Sequence, residues 1–317
     1  MTSLTLTLLI LAAGVRPVHT YSVVARDATT GQIGVAVQSH WFSVGALVPW
    51  AEAGVGAVAT QSFVDPSYGP MGLALMKAGR SAPEALAALL AGDPGRDVRQ
   101  VGMIDAQGRV ATHTGRLNIP AAGGQVGNGY TVQANLMEKA TVWSAMAKAF
   151  EAAAGDLAER MLAALDAAQT EGGDIRGQQS AALLVVKARS SGRPWADKVF
   201  DLRVEDHPRP LEELRRLVRV QRAYNHMGAG DDCVTAKDWV CAEREYGAAR
   251  ALEPQNAEMA FWHAVALATG GRLAEARPLF AQAFGADPRW KELVRRLPAV
   301  DQLPKDPNVL DAILALR

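Results

Sequence analysis

The stretch TYSVVARD at residues 20–27 is followed closely by IGVAVQS at residues 33–39. Both runs are rich in β-branched residues, and the segment ATTGQ between them is typical of a turn, so together they predict a β-hairpin. Alternation with a period of two places Thr20, Ser22 and Arg26 on one face of the first strand. The strand therefore begins with a hydroxyl group and has a second one on the same face.

An apolar leader precedes this strand. The apolar run within residues 1–14 is shorter than the roughly 20 residues that a membrane-spanning helix needs, and it indicates a signal peptide. No Lys or Arg precedes the run, so an overlong start or a strand of the core are alternatives. Small residues favour cleavage after Gly14, which would leave residues 15–19 as a pro-segment. We expect a periplasmic or secreted protein, and otherwise a cytoplasmic one.

Strands and helices continue in mixed order to about residue 207. The Gly-rich residues 123–129 are expected to form a flexible loop, and Ser81 is expected to cap a helix. This order predicts an α+β fold with four layers, α/β/β/α. Further strands are predicted at 54–62, 98–104, 109–113 and 180–187, and helices at 69–78, 85–91, 138–153 and 156–169.

Residues 208–317 have an almost entirely helical pattern, and they define a second predicted domain after 20–207. Leu252-Glu253-Pro254 recurs as Ala286-Asp287-Pro288, which is the spacing of tetratricopeptide repeats. We expect a small all-α repeat region that binds a protein or peptide partner. The core positions predicted from the repeat are Ala242, Tyr246, Ala249, Ala276, Phe280 and Ala283.

Composition excludes several function classes. The chain has 33 basic and 33 acidic side chains and no net charge, so nucleic acid is not an expected partner. The six histidines lack metal-ligand spacing, so no metal or other cofactor is expected, and His40 and His113 are expected to be structural. Cys233 and Cys241 could form a disulfide or remain as two thiols.

Several ordered blocks resemble a known family. They are SVVARD at 22–27, GVAVQS at 34–39, GAVATQ at 56–61, RQVG at 99–102, HTG at 113–115, NL at 135–136, GGDIRGQQSAA at 172–182 and DLRV at 201–204. This segment resembles the domain of unknown function 1028, which is placed in the N-terminal nucleophile (Ntn) hydrolase superfamily. The resemblance implies the four-layer sandwich of that superfamily and a nucleophile at Thr20.

Thr20 has the chemistry for that role if the bond to His19 is broken. A terminal Thr supplies a hydroxyl nucleophile and an α-amine with a pKa of about 7.7 to 8.0, which can act as its base. If the bond stays intact, this mechanism is impossible and Thr20 is an ordinary strand residue.

Other residues are candidates to assist Thr20. Asn135, with a backbone N–H of the Gly-rich loop, is a candidate oxyanion donor, and a helix cap is the alternative. Asp174 and Arg176 either orient the α-amine, clamp a substrate carboxylate, or form a structural ion pair. Ser22 and Arg26 are candidates to orient the amine or bind substrate, because their face matches that of Thr20.

These observations predict an exported amidohydrolase that cleaves a small amide or peptide, with a cell-envelope peptide as one candidate substrate. No integral membrane segment is expected after the leader is removed. The competing prediction is a non-catalytic exported binding or scaffold protein that uses its helical repeats to hold a partner.

Overall fold

The computed structural model describes residues 20–316, so the leader and pro-segment predicted for residues 1–19 lie outside the described residues. The chain divides after Arg215 into two compact units. The first unit is mixed α+β, and the second is helical.

The first unit has ten strands and four complete helices in its described part. Helix α5, Pro210–Thr235, crosses the division between the units. The strands are β1 (Thr20–Arg26), β2 (Ile33–Ser39), β3 (Pro49–Glu52), β4 (Gly56–Ser62), β5 (Arg99–Asp105), β6 (Val110–Thr114), β7 (Gly123–Gly127), β8 (Tyr130–Ala134), β9 (Ser180–Val186) and β10 (Lys198–Val204), and the helices are α1 (Tyr68–Lys77), α2 (Ala82–Gly92), α3 (Val142–Ala152) and α4 (Leu157–Thr170).

The strands form two antiparallel sheets. The six-stranded sheet has the order β10-β9-β2-β1-β8-β7, and the four-stranded sheet has the order β3-β4-β5-β6. The predicted hairpin of β1 and β2 is confirmed, with Thr20 paired to Ser39 at its open end. On the other side of β1, Tyr21 is paired to Ala134 of β8. Thr20 therefore lies at the end of a strand with a neighbour on each side.

The two sheets face each other. Val24 and Val35 of the larger sheet share a buried cluster with Ala57 and Ile104 of the smaller one. Helices α1 and α2 pack on the smaller sheet, and α3 and α4 pack on the larger. Alternate residues of β1 accordingly face opposite ways. Thr20, Ser22 and Val24 point toward the other sheet, whereas the Tyr21 hydroxyl reaches Gln169 of α4 at 3.0 Å.

Strand β7 departs from the prediction of a flexible Gly-rich loop. It pairs in register with β8, so its backbone groups are used in a sheet. Glycine is needed there for packing, since a Cβ at Gly123 would lie 2.7 Å from the Trp143 ring. The glycines that lower the strand propensity of this segment are therefore required by a neighbouring side chain.

The second unit contains, after α5, helices α6 (Trp239–Leu252), α7 (Ala257–Thr269), α8 (Leu273–Ala286), α9 (Trp290–Arg296) and α10 (Pro307–Leu314). All six core positions predicted from the 34-residue spacing are buried. Cys233 and Cys241 form a disulfide between α5 and α6. No helix in the described part of the chain is long and apolar enough to cross a membrane.

Two helical glycines of the first unit offer a matched test of how helix α1 packs against Trp50 of β3. An added Cβ at Gly69 would lie 2.3 Å from the Trp50 ring, which is held by its hydrogen bond to the Leu47 carbonyl at 2.9 Å. We expect Gly69→Ala to cost roughly 1–3 kcal/mol in the free energy of unfolding. Gly92→Ala meets nothing within 4 Å and should be neutral or stabilising by up to about 1 kcal/mol.

Urea unfolding followed by circular dichroism checks both variants. Equal midpoints for Gly69→Ala and Gly92→Ala would contradict the packing of α1 on Trp50.

Candidate functional site

Thr20 is fully buried and is held mainly through its backbone carbonyl. That oxygen accepts hydrogen bonds from Gln61 Nε2 at 3.0 Å and from the backbone N–H of Asn135 at 3.1 Å, and Asn135 Nδ2 lies 3.5 Å away. The Thr20 hydroxyl donates to Ser39 Oγ at 3.2 Å. The backbone carbonyl of the candidate nucleophile is therefore fixed by β4 and by the residue that follows β8, and its hydroxyl contacts β2.

Gln100 on β5 joins the groups that hold Thr20. Its Oε1 accepts from Gln61 Nε2 and from Asn135 Nδ2, each at 2.8 Å. Its Nε2 lies within hydrogen-bond distance of three acceptors on other strands, namely Ala134 O at 2.9 Å, Thr114 Oγ1 at 2.9 Å and Gly123 O at 3.2 Å. One fully buried amide thus connects the two sheets behind Thr20.

Ser22 lies on the predicted face of β1, and its hydroxyl belongs to the same network. Ser22 Oγ donates to Gln61 Oε1 at 2.7 Å and accepts from Gln133 Nε2 at 3.3 Å. Gln133 Nε2 also lies 3.2 Å from the Ala59 carbonyl of the other sheet. Ser22 therefore orients Gln61, which in turn holds the Thr20 carbonyl.

Asp174 and Arg176 lie in a loop at the Thr20 end of the larger sheet. The fully buried Asp174 carboxylate accepts from Arg176 Nη2 at 2.7 Å and Nε at 3.0 Å, and from the backbone N–H of His40 at 3.2 Å. Asp174 also forms a β-bridge with Met137. Because His40 follows β2 and Met137 follows β8, the loop joins the ends of the two strands that flank β1.

The Asp174–Arg176 pair therefore braces the loop, as the structural interpretation predicts, and it does so close to Thr20. Burial, and to a lesser degree the Asp174 carboxylate, raise the pKa of Tyr21 well above its usual value. Tyr21 is thus a neutral hydrogen-bond donor to Gln169 at physiological pH.

Arg26 does not lie with the other candidates. Its side chain does point toward the smaller sheet, near Gly108 in the turn after β5, as the predicted face requires. However, Arg26 is at the opposite end of β1 from Thr20, a separation of roughly 20 Å at about 3.3 Å per residue. At that distance Arg26 cannot orient the α-amine of Thr20, which corrects the expectation from the sequence.

Asn135 is not a helix cap, because α3 begins seven positions later, with Thr141 at its N-cap. Asn135 is fully buried beside Thr20 and its side-chain amide donates to Gln100. His113 is bonded to the Arg96 carbonyl at 2.8 Å. Among the described residues, no group of three or more His, Cys, Asp or Glu side chains could hold a metal ion.

Sequence reasoning missed four residues of this network: Ser39, Gln61, Gln100 and Gln133. All four are fully buried. The available signal was that Gln and Ser fall at inward positions of strands that are otherwise apolar.

Comparison with known proteins identifies the family. Residues 20–214 match the family of unknown function DUF1028, and the chain belongs to that family. The structure is similar to the crystal structure of protein SPO2555 from Silicibacter pomeroyi, which is also described as a DUF1028 protein. The two chains are 30% identical with a TM-score of 0.57, over 63% of this chain and 85% of the other. No curated protein matches the sequence.

The Gln100 network predicts a large loss of stability when the amide is removed. Gln100→Leu removes the partner of the buried Gln61 and Asn135 amide donors and of the buried Ala134 carbonyl, so the free energy of unfolding should fall by about 3 kcal/mol or more. Gln125→Leu is the matched control, because Gln125 is exposed on β7 and should change stability by less than about 0.5 kcal/mol. The midpoints of urea unfolding measure the stability of both variants. Equal losses of stability would show that Gln100 is not the residue that connects the two sheets behind Thr20.

Proposed function

We propose that this protein is an N-terminal-threonine amidohydrolase of the Ntn type, which cleaves an amide bond in a small amide or peptide. One observation supports it most directly: the match to the family begins at Thr20. A domain released at that point has a hydroxyl and an α-amine on its first residue, which is the combination that this chemistry requires.

The packing of the first unit fits the proposal. Helices lie on the outer face of each of the two facing sheets, which gives the order α/β/β/α of the Ntn sandwich. Thr20 belongs to β1, a central strand of the larger sheet, and its side chain faces the smaller sheet. The helix pairs of the second unit, with small and aromatic residues at their buried positions, fit tetratricopeptide-like repeats.

In the proposed reaction the free α-amine of Thr20 accepts the proton of its own hydroxyl, directly or through a water molecule, while Oγ1 attacks the substrate carbonyl. Cleavage of the C–N bond gives an ester on Thr20, and the proton passes to the leaving amine. Water then adds to the ester with the α-amine again as base, which releases the acid and restores the hydroxyl. No metal is required for these steps.

The network behind Thr20 supplies the positioning that the reaction needs. Gln61 and Asn135 fix the Thr20 carbonyl, so the amine and the hydroxyl have a defined starting geometry. The Asp174–Arg176 ion pair braces the loop at the same end of the sheet. Asn135 remains the candidate for the oxyanion.

A second candidate function has its own supporting observation. The Thr20 hydroxyl is fully buried and bonded to Ser39, which is also what an ordinary structural threonine would do. A non-catalytic exported scaffold would keep the sandwich and use the helical unit to hold a partner. In either case the Cys233–Cys241 disulfide favours an oxidising compartment, so we propose a periplasmic or secreted location. For the amidohydrolase, a cell-envelope peptide is then the candidate substrate.

The test compares two proteins that differ only at the first residue. One begins at Thr20 with a free amine, and the other has a single Gly before Thr20, which keeps the hydroxyl but blocks the amine. On a library of aminoacyl p-nitroanilides, we expect the Gly-extended protein to be slower by about 10²- to 10⁴-fold, the usual contribution of a general base. Thr20→Ala should abolish turnover, whereas Thr29→Ala, in an exposed turn, should not change it.

Intact mass of the protein purified from its native compartment completes this test. A chain that begins at Thr20 is expected. Folded native material that keeps His19, together with equal rates for the free and Gly-extended proteins, would favour the scaffold instead.

A further inference from the structure

An open groove lies between the edge strands of the two sheets. Strand β6 is the edge of the smaller sheet and β7 is the edge of the larger, and the two strands contact each other. The groove beside them has a volume of about 630 Å³, within the range of small-molecule and short-peptide sites. Its wall is completed by the loop 115–122 and the first turn of α3.

One residue that lines the groove has a fixed acceptor without a partner. Asn118 is 9% exposed, and its Nδ2 donates to the carbonyls of Arg99 at 2.9 Å and Gly115 at 2.8 Å. With the amide held in this orientation, its Oδ1 is buried and has no hydrogen-bond partner. On β6 the Thr112 hydroxyl is likewise buried and unpartnered. Buried polar atoms of this kind are costly unless a ligand or water satisfies them, and a ligand N–H group would fit Asn118 Oδ1.

The groove has one cationic side chain, which already has an acidic partner. Among the described residues that line it, Arg116 is the only charged side chain. Arg116 pairs with Asp97 through Nη2 at 2.8 Å, and its side chain is 75% exposed, so the planar guanidinium can also bind a second carboxylate.

The remaining wall is apolar, with Pro120, Ala140 and Trp143. A ligand that fits all of these features has an N–H donor, an apolar side chain and a carboxylate close together. We propose that the groove binds the free C-terminal end of a short peptide, with its carboxylate on Arg116, a peptide N–H on Asn118 Oδ1 and an apolar side chain against Trp143.

The position of the groove also suits substrate delivery, a point that rests on the proposed function. Tyr21, Ala134 and Gly123 lie side by side across β1, β8 and β7, so the groove begins roughly 10 Å from the end of β1. About three extended residues span that distance. A peptide whose C-terminus is in the groove would therefore place an internal amide near Thr20.

The test measures binding in the full chain with Thr20→Ala, so that bound peptide is not consumed. The probes are N-acetyl-Ala-Leu-Ala with a free C-terminal carboxylate and the same peptide with a C-terminal amide, each titrated by isothermal calorimetry. We expect the carboxylate form to bind at least about tenfold more tightly, the size of one charge-assisted contact. Arg116→Gln should remove this preference.

Arg80→Gln is the matched control, because Arg80 is exposed and outside the groove. It should leave both affinities unchanged. Equal binding of the two probes, binding of neither at millimolar concentration, or a preference that survives Arg116→Gln would overturn the groove assignment. None of these results bears on hydrolysis by a free Thr20, which is measured separately with the active protein, so the two proposals can fail independently.

Discussion

The buried amide of Gln100 is the interaction on which the candidate site depends. A polar side chain between two sheets is stable only when its donors and acceptors are used, and Gln100 uses both ends of its amide. Its oxygen holds Gln61 and Asn135, the two residues that in turn hold the carbonyl of Thr20. The first residue of β1 is thus positioned by the other sheet as well as by its own.

The backbone carbonyl and the side-chain hydroxyl of Thr20 make hydrogen bonds of different lengths. The carbonyl has donors at 3.0 and 3.1 Å, whereas the hydroxyl bond to Ser39, at 3.2 Å, is long for a contact between two hydroxyls. A fixed backbone is what a nucleophile at this position needs, because Oγ1 must turn toward a substrate without moving the strand.

Predictions from the sequence were most accurate for features that depend on residues close together along the chain. Alternation predicted the β1–β2 hairpin and the face of Arg26, but the face alone was used to group Arg26 with Thr20. The six-residue separation, at about 3.3 Å per residue, places the two residues at opposite ends of the strand. Gln61 and Gln100 were missed because a glutamine in a strand is normally on the solvent side, and only the facing sheet shows that these are buried. Asp174 and Arg176 were found because two opposite charges between glycines are unusual before a buried strand.

The glycine-rich edge strand β7 is explained by the residues that pack around it. Edge strands expose unpaired backbone groups, and here the short edge of one sheet lies against the edge of the other, which limits that exposure. Close approach of Trp143 requires Gly123 to lack a side chain, and Gln100 Nε2 binds the carbonyl of that same glycine. Since Gln100 also supports Thr20, the wall of the groove and the position of the candidate nucleophile depend on a single side chain. The two sites therefore share one rigid support, although they lie on different strands.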